Sequence, residues 1–138
     1  ALTLRFEPSL APGARVQSVT AGGRAVPYRT TSNGRAVLVA FEVPLGEGAD
    51  VQVRHSGGWR LAPGGTPPDR GDRSRRLKVL DARVDDGTFV ATLEGRAGVS
   101  YEITIVRPGG RVSRETVEFP GGGDPRDGYV RKVLRFRP

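Results

Sequence analysis

The chain has 138 residues, a formal charge of +7 at neutral pH, one histidine and no cysteine. That length suits a single ordinary domain able to bury a core. The missing cysteine excludes disulfides and thiolate metal sites, and one histidine cannot furnish a histidine-based zinc site.

In chain order, Leu2, Leu4 and Phe6 alternate with Thr3 and Arg5, which predicts a first strand ending at Pro8, followed by a loop over residues 9–13. A second strand runs over residues 15–20, where Val16 and Val19 fall out of phase and predict a bulge. Gly22-Gly23 turns it into residues 25–29, which Pro27 demotes to an edge. Asn33-Gly34 is a hairpin signal opening Val37, Val39, Phe41 and Val43, four apolar residues on one face. Val51, Val53 and His55 share a phase in the next strand, and Gly57-Gly58 separates it from Trp59-Arg60-Leu61. Residues 62–76 are rich in Pro, Gly and Arg with no apolar period, and are expected to form a long exposed loop. The stretch from Leu77 to Val106 is the most regular: Leu80, Ala82 and Val84, then Phe89, Ala91 and Leu93, then Val99, Tyr101, Ile103 and Ile105. Asp85-Asp86-Gly87 and Gly95–Gly98 supply turn residues between them, so a three-stranded meander with one apolar face is expected here. Pro108-Gly109-Gly110 turns into a strand over 111–119. After a second loop over 120–128, Val130, Lys132, Leu134 and Phe136 share a face in the last strand, with Arg131, Arg135 and Arg137 keeping the other face wet.

No helical period appears. The expected fold is all-β, an antiparallel two-sheet sandwich of immunoglobulin-like or jelly-roll type with about ten strands. One domain over 1–138 is preferred, with loop 62–76 crossing between sheets; the alternative is two small β units, 1–61 and 77–138, each marginal in size. No apolar run is long enough to span a membrane. The start at Ala1, without Met or a signal-like segment, suits a mature chain or a domain cut from a longer polypeptide.

The chemistry-bearing residues are sparse. All but Lys78 and Lys132 of the 22 basic residues are arginine, and with abundant Ala, Gly and Pro this reads as GC-rich coding before it reads as a nucleic-acid surface. The same charge attracts polyanions nonspecifically, and Arg70, Arg73, Arg75 and Arg76 are the candidate contacts. Trp59, with Arg60 and Tyr28, is the candidate platform for stacking a sugar ring; the competing reading has Trp59 plugging one end of the core. The carboxylate pairs Asp85-Asp86, Asp69/Asp72 and Asp124/Asp127 all lie beside glycine in turns, where Asp serves the backbone. Asp124 and Asp127 are weak candidates for a calcium ion. Arg70-Gly71-Asp72 spells an integrin-type tripeptide that chance explains in so Arg- and Gly-rich a chain. His55 reads as the end of a core strand, and no Gly-x-Ser-x-Gly elbow accompanies it. No enzymatic activity and no cofactor are expected.

Residues 14–26, with Val16, Ser18, Val19, Gly23 and Val26, resemble a hairpin of accessory β-sandwiches attached to bacterial glycoside hydrolases. Residues 93–103, with Gly98, Tyr101 and Ile103, are similar to a strand of immunoglobulin-like and fibronectin III-like modules. The resemblance implies a non-catalytic accessory module of a larger extracellular or envelope-associated protein. Its partners would be neighbouring domains of the parent polypeptide. Polysaccharide binding is the first alternative and nonspecific polyanion binding the second, with nucleic acid not favoured as a partner.

Overall fold

In the computed structural model, residues 2–44, 50–65, 70, 76–121 and 128–138 are described. They form thirteen strands and no helix: β1 (Thr3–Phe6), β2 (Ser9–Leu10), β3 (Ala14–Ala21), β4 (Arg24–Ala25), β5 (Tyr28–Ser32), β6 (Val37–Pro44), β7 (Val51–Gly57), β8 (Arg60–Pro63), β9 (Lys78–Asp85), β10 (Thr88–Arg96), β11 (Ser100–Val106), β12 (Val112–Glu118) and β13 (Tyr129–Phe136). All pairings are antiparallel. The count exceeds the expected ten or so because Ser9–Leu10, expected as loop, pairs with β6, and because the segment around Pro27 splits into β4 and β5. Two-residue strands carry too few side chains to show a period.

Hydrogen bonding defines four sheets instead of two. In the first half, β6 is flanked by β1 and β2 on one edge and β5 on the other, while β3 lies between β4 and β7. Pro27 sits where the chain leaves β4 for β5 and changes sheet. A proline cannot donate to a ladder, so this crossing point costs no backbone hydrogen bond. In the second half, the sheets run β12-β11-β8 and β13-β10-β9.

The expected 77–106 meander is therefore corrected. β9 and β10 form a hairpin through Asp86-Gly87, both at positive φ (46° and 75°), as a tight two-residue turn requires. β10 and β11, however, pair with different strands, and Gly95–Gly98 is a corner between sheets. Alternation shows which way each side chain points, not which strand lies alongside. Phe89, Ala91, Leu93, Ile103 and Ile105 are buried as expected, whereas Val99 precedes β11 and is 38% exposed, and Val90, on the opposite face of β10, is buried as well. The bulge expected in β3 appears as a register shift between Val16 and Ser18. A second shift opposite Thr92/Leu93 leaves Leu80 out of the β9 ladder and 44% exposed.

The buried apolar residues form two clusters. One joins Val19 of β3 to Val39, Phe41 and Val43 of β6, with Val51 and Val53 of β7 against them. The other joins Phe89, Ala91 and Leu93 of β10 to Ile103 and Ile105 of β11, and adds Trp59, Leu77, Val117, Phe119 and Phe136. Two sheets fill each cluster. Among the described residues no polar or charged residue is buried, and no helix is long and apolar enough to cross a membrane.

Candidate functional site

The two clusters meet where β7 ends and β8 begins. Gly57 and Gly58, at φ of 67° and 95°, swing the chain from one half into the other. A Cβ on Gly58 would stand 3.0 Å from the Cβ of Ala11 and 3.3 Å from that of Ala14, so glycine is required there for space as well as for backbone angle. The turn carries Trp59 into the second core, and its backbone N–H donates to the Pro12 carbonyl of the first half at 2.8 Å. A second contact comes from the β5–β6 hairpin. There Asn33 Oδ1 accepts from the backbone N–H groups of Arg35 and Ala36, at 2.9 and 2.8 Å, which shapes the loop. The loop presents the Gly34 carbonyl to the Val84 N–H of β9 at 2.7 Å, which closes part of the β9 edge.

The next residue, Arg35, reaches Asp81 of β9. Its Nε and Nη2 donate to Oδ1 and Oδ2 at 2.7 and 3.4 Å, and Arg83 Nη1 donates to Oδ2 at 2.6 Å. Hydrogen bonds from Arg35 first, and then Arg83, hold the Asp81 carboxyl below its ordinary value of 3.8. A carboxylate with a depressed folded-state pKa stabilises the fold above the unfolded value, and the contribution disappears as pH falls through the folded value. Stability measured by denaturant titration should therefore fall between about pH 4 and the lower folded pKa. Asp81→Asn should flatten that limb; an acid limb unchanged by the substitution would refute the assignment. On the same sheet face, Glu94 is flanked by Arg131 (3.2 Å) and Lys78 (3.6 Å), its cross-strand neighbours in β13 and β9. Exposed pairs of this kind add little each and act mainly to keep the sheet face wet.

Between the halves lies a cleft of ≈ 530 Å³, with Trp59, Arg15 and Ser56 in its walls. A second groove, of ≈ 550 Å³, lies on the first half, lined by Arg5, Arg29, Ala40 and Glu42 together with Tyr28. The structure thus separates the residues expected to form a sugar platform. Trp59 is only 3% exposed and stacks on Phe89, with ring centroids 5.0 Å apart and planes 5° from parallel. Its ring is a core element, with that face taken by Phe89, which is the plug reading and removes it as a stacking platform. Arg60 is exposed on β8 opposite Val106. Tyr28, 36% exposed, lies on β5 opposite Phe41 and lines the other groove.

Of the arginines expected to bind polyanions, Arg70 is exposed and Arg76 is half-buried, donating to the Gly65 carbonyl at 3.2 Å. Arg73 and Arg75 lie outside the described residues, as do Gly71 and Asp72 of the tripeptide and the calcium candidates Asp124 and Asp127. The exposed loop expected over 62–76 starts later, since Ala62 and Pro63 are paired with β11. His55 lies exposed on β7 opposite Val16. Among the described residues no group of three or more His, Asp or Glu is placed to hold a metal ion. The Arg35–Asp81–Arg83 cluster had no signal in the sequence, because its members come from two segments 46 residues apart.

No protein-family model matches this chain, nor does any curated protein or solved structure.

Proposed function

We propose that the chain is a non-catalytic accessory β-sandwich module, of immunoglobulin-like or jelly-roll type, within a larger secreted or envelope-associated bacterial protein associated with hydrolase activity. The observation that supports this reading most is the joint between the two hydrophobic clusters. Trp59 to Pro12 fastens it at the β7–β8 turn, which two glycines close, and Val84 to Gly34 with Asp81 to Arg35 fastens it at the β5–β6 loop. Two attachment points restrain the joint more than a single hinge segment would. A pinned pair of β layers holds whatever flanks it at a fixed distance and angle, which is the mechanical task of a spacer or accessory unit. The partners on this reading are neighbouring domains of the parent polypeptide.

The test is backbone ¹⁵N relaxation of the whole chain. A single rotational diffusion tensor fitting residues 2–57 and 60–136 together is the expected result. Two independent tensors would overturn the rigid-spacer reading. Turnover of any soluble polysaccharide that an Asp or Glu substitution abolished would overturn the non-catalytic one.

A further inference from the structure

The first strand leaves an apolar row uncovered at an open sheet edge. β1 and β2 follow one register along β6, from Thr3 opposite Pro44 to Leu10 opposite Val37, so residues 3–10 act as a single edge strand. Leu4, Phe6, Pro8 and Leu10, with Leu2 just ahead, alternate with Thr3, Arg5, Glu7 and Ser9 on the other face. Leu4 and Phe6 stand opposite the buried Val43 and Phe41, and Phe6 stacks on Phe41 at 5.5 Å, so this row continues the core face. Leu10 packs against the first cluster, yet Leu2, Leu4 and Phe6 are 65%, 40% and 37% exposed. Among the described residues β1 has no strand on its outer side.

That edge lacks the usual guards, which are inward-pointing charges, bulges or a blocking proline. Its charges sit on the polar face. The Val39 N–H donates to the Pro8 carbonyl at 3.0 Å, so the backbone of Pro8 faces β6 and leaves the outer edge clear. By the alternation of an antiparallel ladder, Leu4 and Phe6 also bond to β6, while the backbone groups of Thr3, Arg5, Glu7 and Ser9 face outward. Open backbone groups beside alternate apolar side chains call for an added β-strand.

The charges select which strand. When this edge meets its own copy antiparallel, the two-fold axis can pass through Leu4, Arg5 or Phe6. An axis at Arg5 sets two guanidiniums face to face, and one at Leu4 sets Arg5 against Thr3 and leaves Glu7 outside. An axis at Phe6 sets Arg5 of each copy against Glu7 of the other, Thr3 against Ser9, Leu4 against Pro8 and Phe6 against Phe6. Arg5 already lies 3.5 Å from Glu7 of its own chain, so the four charges would alternate in sign. We propose that two copies of this chain pair through residues 3–9 in the Phe6-centred register, joining their β6 sheets into one. So short an edge buries less than the roughly 1,600 Å² of a standard interface, so the dimer is weak and depends on concentration.

Sedimentation velocity of the whole chain from about 10 μM to about 1 mM tests this, with the average mass expected to rise towards the dimer. Arg5→Glu or Glu7→Arg alone should lower the association constant about tenfold or more, because like charges then oppose each other twice. The double variant Arg5→Glu/Glu7→Arg restores the pairs and should restore association. Both residues are exposed, so melting temperatures should hold, which is checked alongside. The chain has no cysteine, so Phe6→Cys reads the register. Two such residues would stand about 4.5 Å apart between Cα atoms and should form a disulfide-linked dimer on oxidation, whereas Leu4→Cys should not. A chain monomeric at every concentration would leave the apolar row to a neighbouring domain and overturn the proposal. Association indifferent to Arg5→Glu, or a double variant that stays monomeric, would overturn it too. The relaxation test of the spacer reading is run at the lowest concentration, on the monomer, so the two results are independent.

Discussion

Trp59→Ala should remove about 3–5 kcal/mol of stability, the range for truncating a large aromatic in a packed core. Trp59 stacks on Phe89, which in turn lies 6.2 Å from Phe136, so alanine leaves a void in the middle of an aromatic row. The same residue's backbone carries the bond to Pro12, so a collapse of the ring's surroundings also loosens the joint. Against a total stability of about 5–15 kcal/mol for a domain, this is a large fraction. Urea unfolding monitored by circular dichroism measures it, with Trp59→Phe as a second variant that keeps an aromatic on Phe89 and should lose much less. A midpoint unmoved by Trp59→Ala would mean that the ring is not in the core, and the sugar-stacking reading would return.

Gly95→Ala is the second substitution with a large expected effect, at about 1–3 kcal/mol from overpacking. Gly95 has an ordinary negative φ, so backbone strain plays no part. A Cβ there would lie 2.7 Å from Cε2 of Phe119 and 2.8 Å from Cε2 of Tyr101, well inside contact distance. Those two rings meet edge to face, centroids 5.6 Å apart at 88°, and Phe119 is 2% exposed, so its ring has no room to swing away. Gly98→Ala, at the same corner, is the contrast: nothing lies within 4 Å of its Cβ position, and only its φ of 75° is strained. Equal losses at the two sites, or a Gly95→Ala variant as stable as the parent chain, would show that the aromatic pair does not fill the Gly95 position.

That contrast shows what a sequence can and cannot reveal here. Both glycines read as turn residues, because composition marks where a chain bends. Gly95 in fact lies within β10, one residue from its end, kept bare so that the rings of Tyr101 in β11 and Phe119 just after β12 can cross over it. Likewise Asn33-Gly34 announced a hairpin correctly, while nothing in it announced that the loop would reach a strand fifty residues later. The candidate cleft divides in the same way. Trp59 drew attention as the single tryptophan, but its ring is packed on Phe89 in the core. Arg15 and Ser56 carried no signal, since neither type is unusual on a strand and only the β3–β7 register makes them neighbours.

The order of residues alone carried the all-β class, the inward face of β6 and β13, the bulge in β3, and the tight turns at Gly22-Gly23 and Asp86-Gly87. Each of these follows from a property of one segment: a period of two, a break in that period, or a residue tolerant of positive φ. Tertiary structure alone decided which strands pair, that β10 and β11 belong to different sheets, that the apolar residues divide into two clusters, and that Arg35 finds Asp81. Those outcomes depend on contacts between distant segments, where many pairings satisfy the same alternation and close packing selects among them.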